Sequence, residues 1–342
     1  MQKTGYLIIN LGTPDSPAVP DVRRYLKEFL LDPYVVTLPW LLRNILVRGI
    51  ILPFRPKASA HAYSQIWTEQ GSPLKVNSNK QAKALAGLLD GPVALAMRYG
   101  SPSIAAAVAE LRSHDITDLV VAPLYPQYAA STVATTLEEI AKHTEGLNCY
   151  VVPPFYQQPW FIEAMAFQVT KADADFDHLL MSFHGLPEQH LRTADPTGSH
   201  CLASEDCCEI QSTAHTTCYR HQAFVSAREL ARMLNLSHSQ YSVSFQSRLG
   251  RTPWLRPYTD ERLAELAQEG VKHLAVVCPA FVADNLETLE EIGLQGRETF
   301  LQAGGEEFTL IPCVNDDAGW LQGLSQWMQN AQTVSANALT SS

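Results

Sequence analysis

No stretch of the 342-residue chain reaches the roughly 18 consecutive apolar residues of a membrane-spanning helix. The N-terminus, MQKTGYLIINLGTPD, lacks a basic segment followed by an apolar core and a cleavage site. It predicts a protein of the reducing cytoplasm, where structural disulfides are not expected. Positive charge is short as well. The 25 Lys and Arg against 35 Asp and Glu leave a net charge of −10, which argues against nucleic acid as the main partner. Neither G-x-G-x-x-G nor G-x-x-x-x-G-K-[ST] occurs, so both fingerprints of a bound nucleotide are missing. The glycine of INLGTPD (9–15) reads instead as a strand-to-loop turn. Cysteine is sparse, seven in all, yet four of them (Cys201, Cys207, Cys208 and Cys218) fall within one polar segment.

What is present is an alternation of short apolar, β-branched runs with longer helical patterns, the sequence form of a parallel α/β sheet. Strands are expected at 6–10, 93–99, 119–125 and 149–155, and again at 179–185, 241–247, 274–280 and 308–314. Two sets of four predict two lobes of similar architecture, at 1–156 and 157–314, with 315–342 a C-terminal helix and a frayed tail. Ligands of open parallel sheets bind outside the carboxyl ends of the strands. Chemistry is therefore expected at INLGTPD, MRYGSP, LYPQY, SFHGLP and FQSRLG, and in the cleft between the lobes.

Two long segments, 16–75 and 188–240, interrupt the pattern. The first contains TLPWLLRNILVRGIILPFRP (37–56), strongly apolar but too short between Pro39 and Pro53 to cross a bilayer. It reads as a buried core helix, as a lip over an apolar ligand, or as a surface that dips into a membrane interface.

Several motifs carry chemistry. SFHGLP places His184 at a strand tip before a Gly and a Pro, where an imidazole can ligate a divalent metal, accept a proton or simply hydrogen-bond locally. In PAFVADNLETLEEIG, Asp284 or Asn285 can cap a helix that carries Glu287 and Glu291 one turn apart, with Glu290 beside them. Acidic residues in a first turn are also favoured by the macrodipole alone. Arg98, Tyr99, Tyr125 and Ser131 fall on the rim of the first lobe, and Arg248 and Trp254 on that of the second. An apolar cleft ringed by such residues suits a flat hydrophobic ligand bearing carboxylates.

The cysteine spacing, C-x5-C-C-x9-C, lacks the paired C-x2-4-C elements of structural zinc sites. Histidines 200, 215 and 221 can still complete a zinc site, and four thiolates match the ligand count of an iron–sulfur cluster. Unbonded cysteines in an exposed loop are the third possibility. Cys149, Cys278 and Cys313 lie in strands and read as small buried apolar groups.

Taken together, NLGTPD, GSPL (71–74), MRY, LYPQY with ST (131–132), SFHGLP, FQSRLG..PWL and DNLET..E resemble the ferrochelatase family, in family order and over residues 6 to about 300. The resemblance implies two Rossmann-like lobes of the class II chelatase kind, no nucleotide cofactor, and insertion of Fe2+ into a porphyrin (protoporphyrin IX or coproporphyrin) to form haem. Residue by residue it implies His184 and Glu287 as the catalytic pair, with Glu291 continuing the acidic face that receives the Fe2+ substrate. It implies Arg98, Tyr125, Ser131, Ser72 and Leu11 at the porphyrin, joined by Trp254. Asn285 stands where many members have a second histidine, and Gln295 replaces an acid further along the helix.

Many members hold a [2Fe–2S] cluster through one cysteine just after YPQY and three in a C-terminal extension. Here Ala130 occupies the first position and no cysteine follows Cys313. The insertion at 196–221 is similar instead to a subset with four internal ligands, which implies a [2Fe–2S] cluster on Cys201, Cys207, Cys208 and Cys218. The expected partners are porphyrin and ferrous iron, with peripheral contact at the inner face of a membrane through 37–56; the oligomeric state is left open. The rivals are a chelatase for another metal or tetrapyrrole, a non-catalytic tetrapyrrole or iron carrier, and a sugar-transferring enzyme with twin lobes.

Overall fold

The structure, a computed structural model, describes residues 3–250 and 252–331. All eight expected strands form, and they build two four-stranded parallel sheets. The first runs in the order β2-β1-β3-β4, with β1 at Thr4–Thr13, β2 at Val93–Gly100, β3 at Asp118–Pro123 and β4 at Asn148–Val151. The second repeats that topology as β6-β5-β7-β8, with β5 at His178–His184, β6 at Tyr241–Gln246, β7 at His273–Val277 and β8 at Glu307–Leu310.

The central strands are continuous apolar runs because helices cover both of their faces. Leu7, Ile8 and Ile9 of β1, and Leu179, Leu180 and Met181 of β5, are fully buried. Edge strands β4 and β8 end earlier than their apolar runs suggest. Pro153 and Pro154 follow β4 and Pro312 follows β8, and proline has no N–H to donate to a ladder. Cys149 corrects the expectation of a buried thiol. It lies on edge strand β4 and is exposed, whereas Cys278 and Cys313 are buried. The glycine of the first strand end is required twice over. Gly12 has φ +116°, and a Cβ there would stand 1.8 Å from the Tyr99 carbonyl oxygen.

The chain forms two compact units. One gathers the described residues up to Leu124, Ala130–Pro154 and those from Leu321 on; the other gathers Tyr125–Ala129 and Phe155–Trp320. The tail expected to fray lies outside the described residues from 332 on.

The segment 37–56 is helical from Trp40 onward and continues to Ile66. It is not a core helix. Val47 and Leu52 are buried in a small cluster with Leu30, but Trp40 is 69% and Phe54 76% exposed, and Leu41, Leu42, Ile45 and Ile50 stand out beside them. Among the described residues, no helix is long and apolar enough to cross a membrane.

Candidate active site and cysteine loop

The second unit brings His184 and the acidic helix to one end of its sheet. His184 is the last residue of β5, paired in register with Gln246 of β6, and β5 also pairs with β7, which leads into the acidic segment. The His184 Nδ1 lies 2.6 Å from the Gly185 carbonyl oxygen. A carbonyl only accepts, so Nδ1 carries the proton and Nε2 keeps its lone pair. Burial lowers the His184 pKa further below its usual value, so the ring is neutral. Gly185 has no room for a side chain: a Cβ would lie 2.6 Å from the Gln246 carbonyl oxygen and 3.3 Å from the Trp254 ring.

The acidic segment is a ten-residue π-helix, Glu287–Gly296. Such a helix is rare and gathers at functional sites. Among the described residues two shorter π-helical stretches occur, at Ile45–Ile51 and at Ala130–Ala134, the latter containing half-buried Ser131. All three fall in segments singled out from the sequence. Asn285 is the cap: its Oδ1 accepts from the Thr288 N–H at 3.0 Å, and the Thr288 hydroxyl oxygen accepts from the Asn285 N–H. Asp284 is committed elsewhere, accepting from the Cys313 N–H and the Asn315 amide.

Burial, and then the neighbouring Glu291 and Glu290 carboxylates, push the Glu287 pKa up to about 7. Glu291 is raised by burial as well, although the Ser247 N–H and hydroxyl both donate to it, at 2.6 and 2.5 Å. Gln295 donates to Glu290 at 2.7 Å. Gln246, a residue no motif marked for a role, ties the strand ends to this helix. Its amide N–H donates to the Glu287 carbonyl at 2.8 Å, and its Oε1 accepts from the Ser182 hydroxyl at 2.8 Å.

In the first unit Arg98, at the end of β2, is already partnered. Its guanidinium reaches Asp32 at 2.6 Å and the Thr135 hydroxyl at 2.8 Å, and lies over the Tyr99 ring. Asp32 also accepts from the Tyr99 hydroxyl, the Thr135 hydroxyl and the Tyr34 N–H. These residues line a cavity of about 350 Å³ together with Glu28 and Lys142. Ser72 is buried, and its hydroxyl oxygen accepts from the Thr13 hydroxyl at 2.8 Å. Leu11 is half-buried on β1. Tyr125 is buried and packs with the second unit rather than the first.

The four cysteines of the insertion are buried, contrary to an exposed loop. The thiols of Cys201 and Cys208 hydrogen-bond Cys218. Burial and then Cys218 push the Cys201 thiol up to about 12, while the Cys208 hydrogen bond draws Cys218 down to about 6. Cys218 also caps the helix Tyr219–Met233, its sulfur accepting from the His221 N–H. Arg220 points at Cys207 and Cys208, 3.7 and 3.8 Å from their sulfurs. His200 and His215 engage the Cys207 carbonyl, and His221 the Cys208 carbonyl. Upstream, Asp195 accepts from the Cys201, His200 and Thr197 N–H groups. Against the effect of its burial these donors hold it far below the usual carboxylate range. As free thiols the cysteines are not spread into ligand geometry. Among the described residues, no group of three or more His, Cys, Asp or Glu is arranged to hold a metal ion.

Residues 3–332 match the family model described as Ferrochelatase. The chain belongs to the ferrochelatase family. It is 50% identical over 338 residues to the ferrochelatase of Stutzerimonas stutzeri strain A1501, covering 97% of this chain and 99% of that one. It is 52% identical over 327 residues to that of Azotobacter vinelandii strain DJ, covering 94% and 96%. Among solved structures, SirB from Bacillus subtilis with Fe3+ superposes with a TM-score of 0.56 over 99% of this chain and 98% of its own. At 11% identity that likeness speaks for the fold of this ferrochelatase-family chain and for nothing more.

Proposed function

We propose that the protein is an enzyme that inserts Fe2+ into a porphyrin to form haem, with His184 and Glu287 at the reacting centre. The observation that carries the assignment is a neutral imidazole with a free Nε2 on β5 and a carboxyl titrating near 7 beyond β7, joined through Gln246. Insertion requires iron to shed water, two pyrrole protons to leave, and the ring nitrogens to present their lone pairs. His184 guides the metal, since a neutral imidazole suits a borderline divalent ion and burial disfavours its protonation. Glu287 accepts a pyrrole proton, because its raised pKa makes the anion a capable base near neutral pH. Glu291, next along the same helix face, is the second acceptor.

Arg98, Tyr125, Ser131, Trp254 and Leu11 contact the porphyrin, Arg98 with whatever donor capacity Asp32 leaves it. Ser72 acts through Thr13, holding the first strand end. The test is anaerobic: purified protein, Fe2+ and either protoporphyrin or coproporphyrin, followed by visible absorbance. Many turnovers to haem support the assignment. A single stoichiometric shift points to a carrier, and turnover only with another metal or tetrapyrrole to a different chelatase.

The finer proposal is a [2Fe–2S] cluster on Cys201, Cys207, Cys208 and Cys218. What supports it is the donor set: four buried cysteines, the thiols of Cys201 and Cys208 hydrogen-bonded to Cys218, with Arg220 beside Cys207 and Cys208 to offset thiolate charge. A bound cluster would supply a one-electron redox centre and cross-link the loop. Equal amounts of iron and labile sulfide in protein purified anaerobically support it; a colourless zinc protein overturns it. Peripheral membrane contact through 37–56 is the third part of the proposal.

A further inference from the structure

The cysteine loop is wired to a segment that bears a proposed porphyrin contact. Gln222, in the first turns of the helix Tyr219–Met233, is 1% exposed, and every bond of its amide is placed. Its Nε2 donates to the carbonyls of His215 and Thr216 at 3.1 and 3.0 Å, closing the end of the cysteine loop. Its Oε1 accepts the Tyr128 N–H at 2.7 Å. One turn later the Ser226 hydroxyl oxygen accepts from the Gln127 amide at 3.0 Å, and that amide also donates to the Pro279 carbonyl at 3.2 Å. Pro279 lies just beyond β7, on the chain that runs into the helix of Glu287. Gln127, Gln222 and Ser226 are buried, with both glutamine amides satisfied.

We infer that Gln222 is a positioning residue that couples the cysteine loop to the Tyr125–Tyr128 segment, and through Gln127 to the exit of β7. A buried amide that loses a partner cannot turn to water, so displacement of the His215–Thr216 turn is passed to the Tyr128 backbone. The inference rests on the porphyrin role proposed for Tyr125. It requires that disturbing the loop weakens porphyrin binding, and by reciprocity that bound porphyrin protects the loop to the same factor.

The experiment uses the full chain as purified. A thiol reagent reports opening of the loop, by reacting with free thiols or with those released as a bound cluster is lost, with and without saturating porphyrin, in the wild type and in Gln222→Leu. Porphyrin is expected to slow labelling of Cys201, Cys207, Cys208 and Cys218 by about tenfold in the wild type, and by nothing in the variant. In turnover, Gln222→Leu and Cys208→Ser should each raise KM for porphyrin more than they lower kcat, and the double variant should be no worse than the more affected single one. Equal protection in Gln222→Leu and wild type, or effects that multiply in the double variant, would overturn the inference. Gln222→Glu keeps shape and the Tyr128 acceptor but loses both donations; it replaces the leucine variant if that one fails to fold, with the same loss of protection expected. A wild type that binds and protects without turnover would sink the proposed function while leaving the coupling intact.

Discussion

Asp32 and Arg98 meet at 2.6 Å with both side chains largely removed from water, 4% and 13% exposed. The carboxylate also collects the hydroxyls of Tyr99 and Thr135 and the N–H of Tyr34, so the end of β2, the helix of Thr135 and the turn after Asp32 converge on one residue. Breaking such a pair from one side leaves a charge buried without a partner, which costs about 3–5 kcal/mol. Asp32→Ala is therefore expected to lower the urea midpoint of unfolding markedly. Asp32→Asn keeps an acceptor for the hydroxyls and is expected to lose less. Equal midpoints for wild type and Asp32→Ala would show that the pair is solvated in solution.

His184→Ala is expected to lower insertion at least a hundredfold, roughly the low end for a positioned catalytic group, while porphyrin binding followed by fluorescence survives. Gly185→Ala tests the same turn from behind. A Cβ at that position would strike the Gln246 carbonyl and press on Trp254, so the strand tip must shift and turnover must fall although no reacting group is removed. Turnover at the wild-type rate in His184→Ala would remove the residue from the centre.

The strands were legible because apolar period and length are local properties. Their ends were less so, since Pro153, Pro154 and Pro312 cut ladders that the apolar run alone would continue. His184 and Glu287 could be placed together because parallel sheets put their loops at one end. What could not be read was commitment. Arg98 meets Asp32 across 66 residues of chain and Gln246 meets Glu287 across 41, and no local pattern announces such pairs. The π-helix is hidden for a related reason: two acidic residues four positions apart, Glu287 and Glu291, suit an α-turn and a π-turn alike. Segment 37–56 was open between core and surface because a run apolar all round carries no sign of which side, if any, is covered.

That segment makes a prediction of its own. Trp40, Leu41, Ile45 and Phe54 are exposed on one helical stretch, and Arg48, Arg55 and Lys57 stand among them in solvent. Apolar side chains beside cations suit an interface rich in anionic lipid. The protein is expected to sediment with anionic vesicles, less strongly as salt rises. Trp40→Glu combined with Phe54→Glu should weaken that binding about tenfold or more. Sedimentation unchanged by the double substitution would place the contact elsewhere.

Glu287 gives opposite signs in stability and in rate. Its pKa rises from the usual 4.5 to about 7 in the folded protein, so between those values the folded state holds a proton that the unfolded chain has released. The unfolded state then binds fewer protons, and stability falls as pH rises through that window. The cost is absent below about pH 4.5 and complete above about pH 7, where it amounts to about 3 kcal/mol. Glu287→Gln removes it, so the variant should unfold with the wild type near pH 4.5 and outlast it increasingly toward pH 8. Insertion should behave the other way, rising in the wild type as Glu287 loses its proton near pH 7 and collapsing in the variant at every pH. A stability gap that does not change with pH would mean that the carboxyl titrates at its ordinary value and is no base for a pyrrole proton near neutrality.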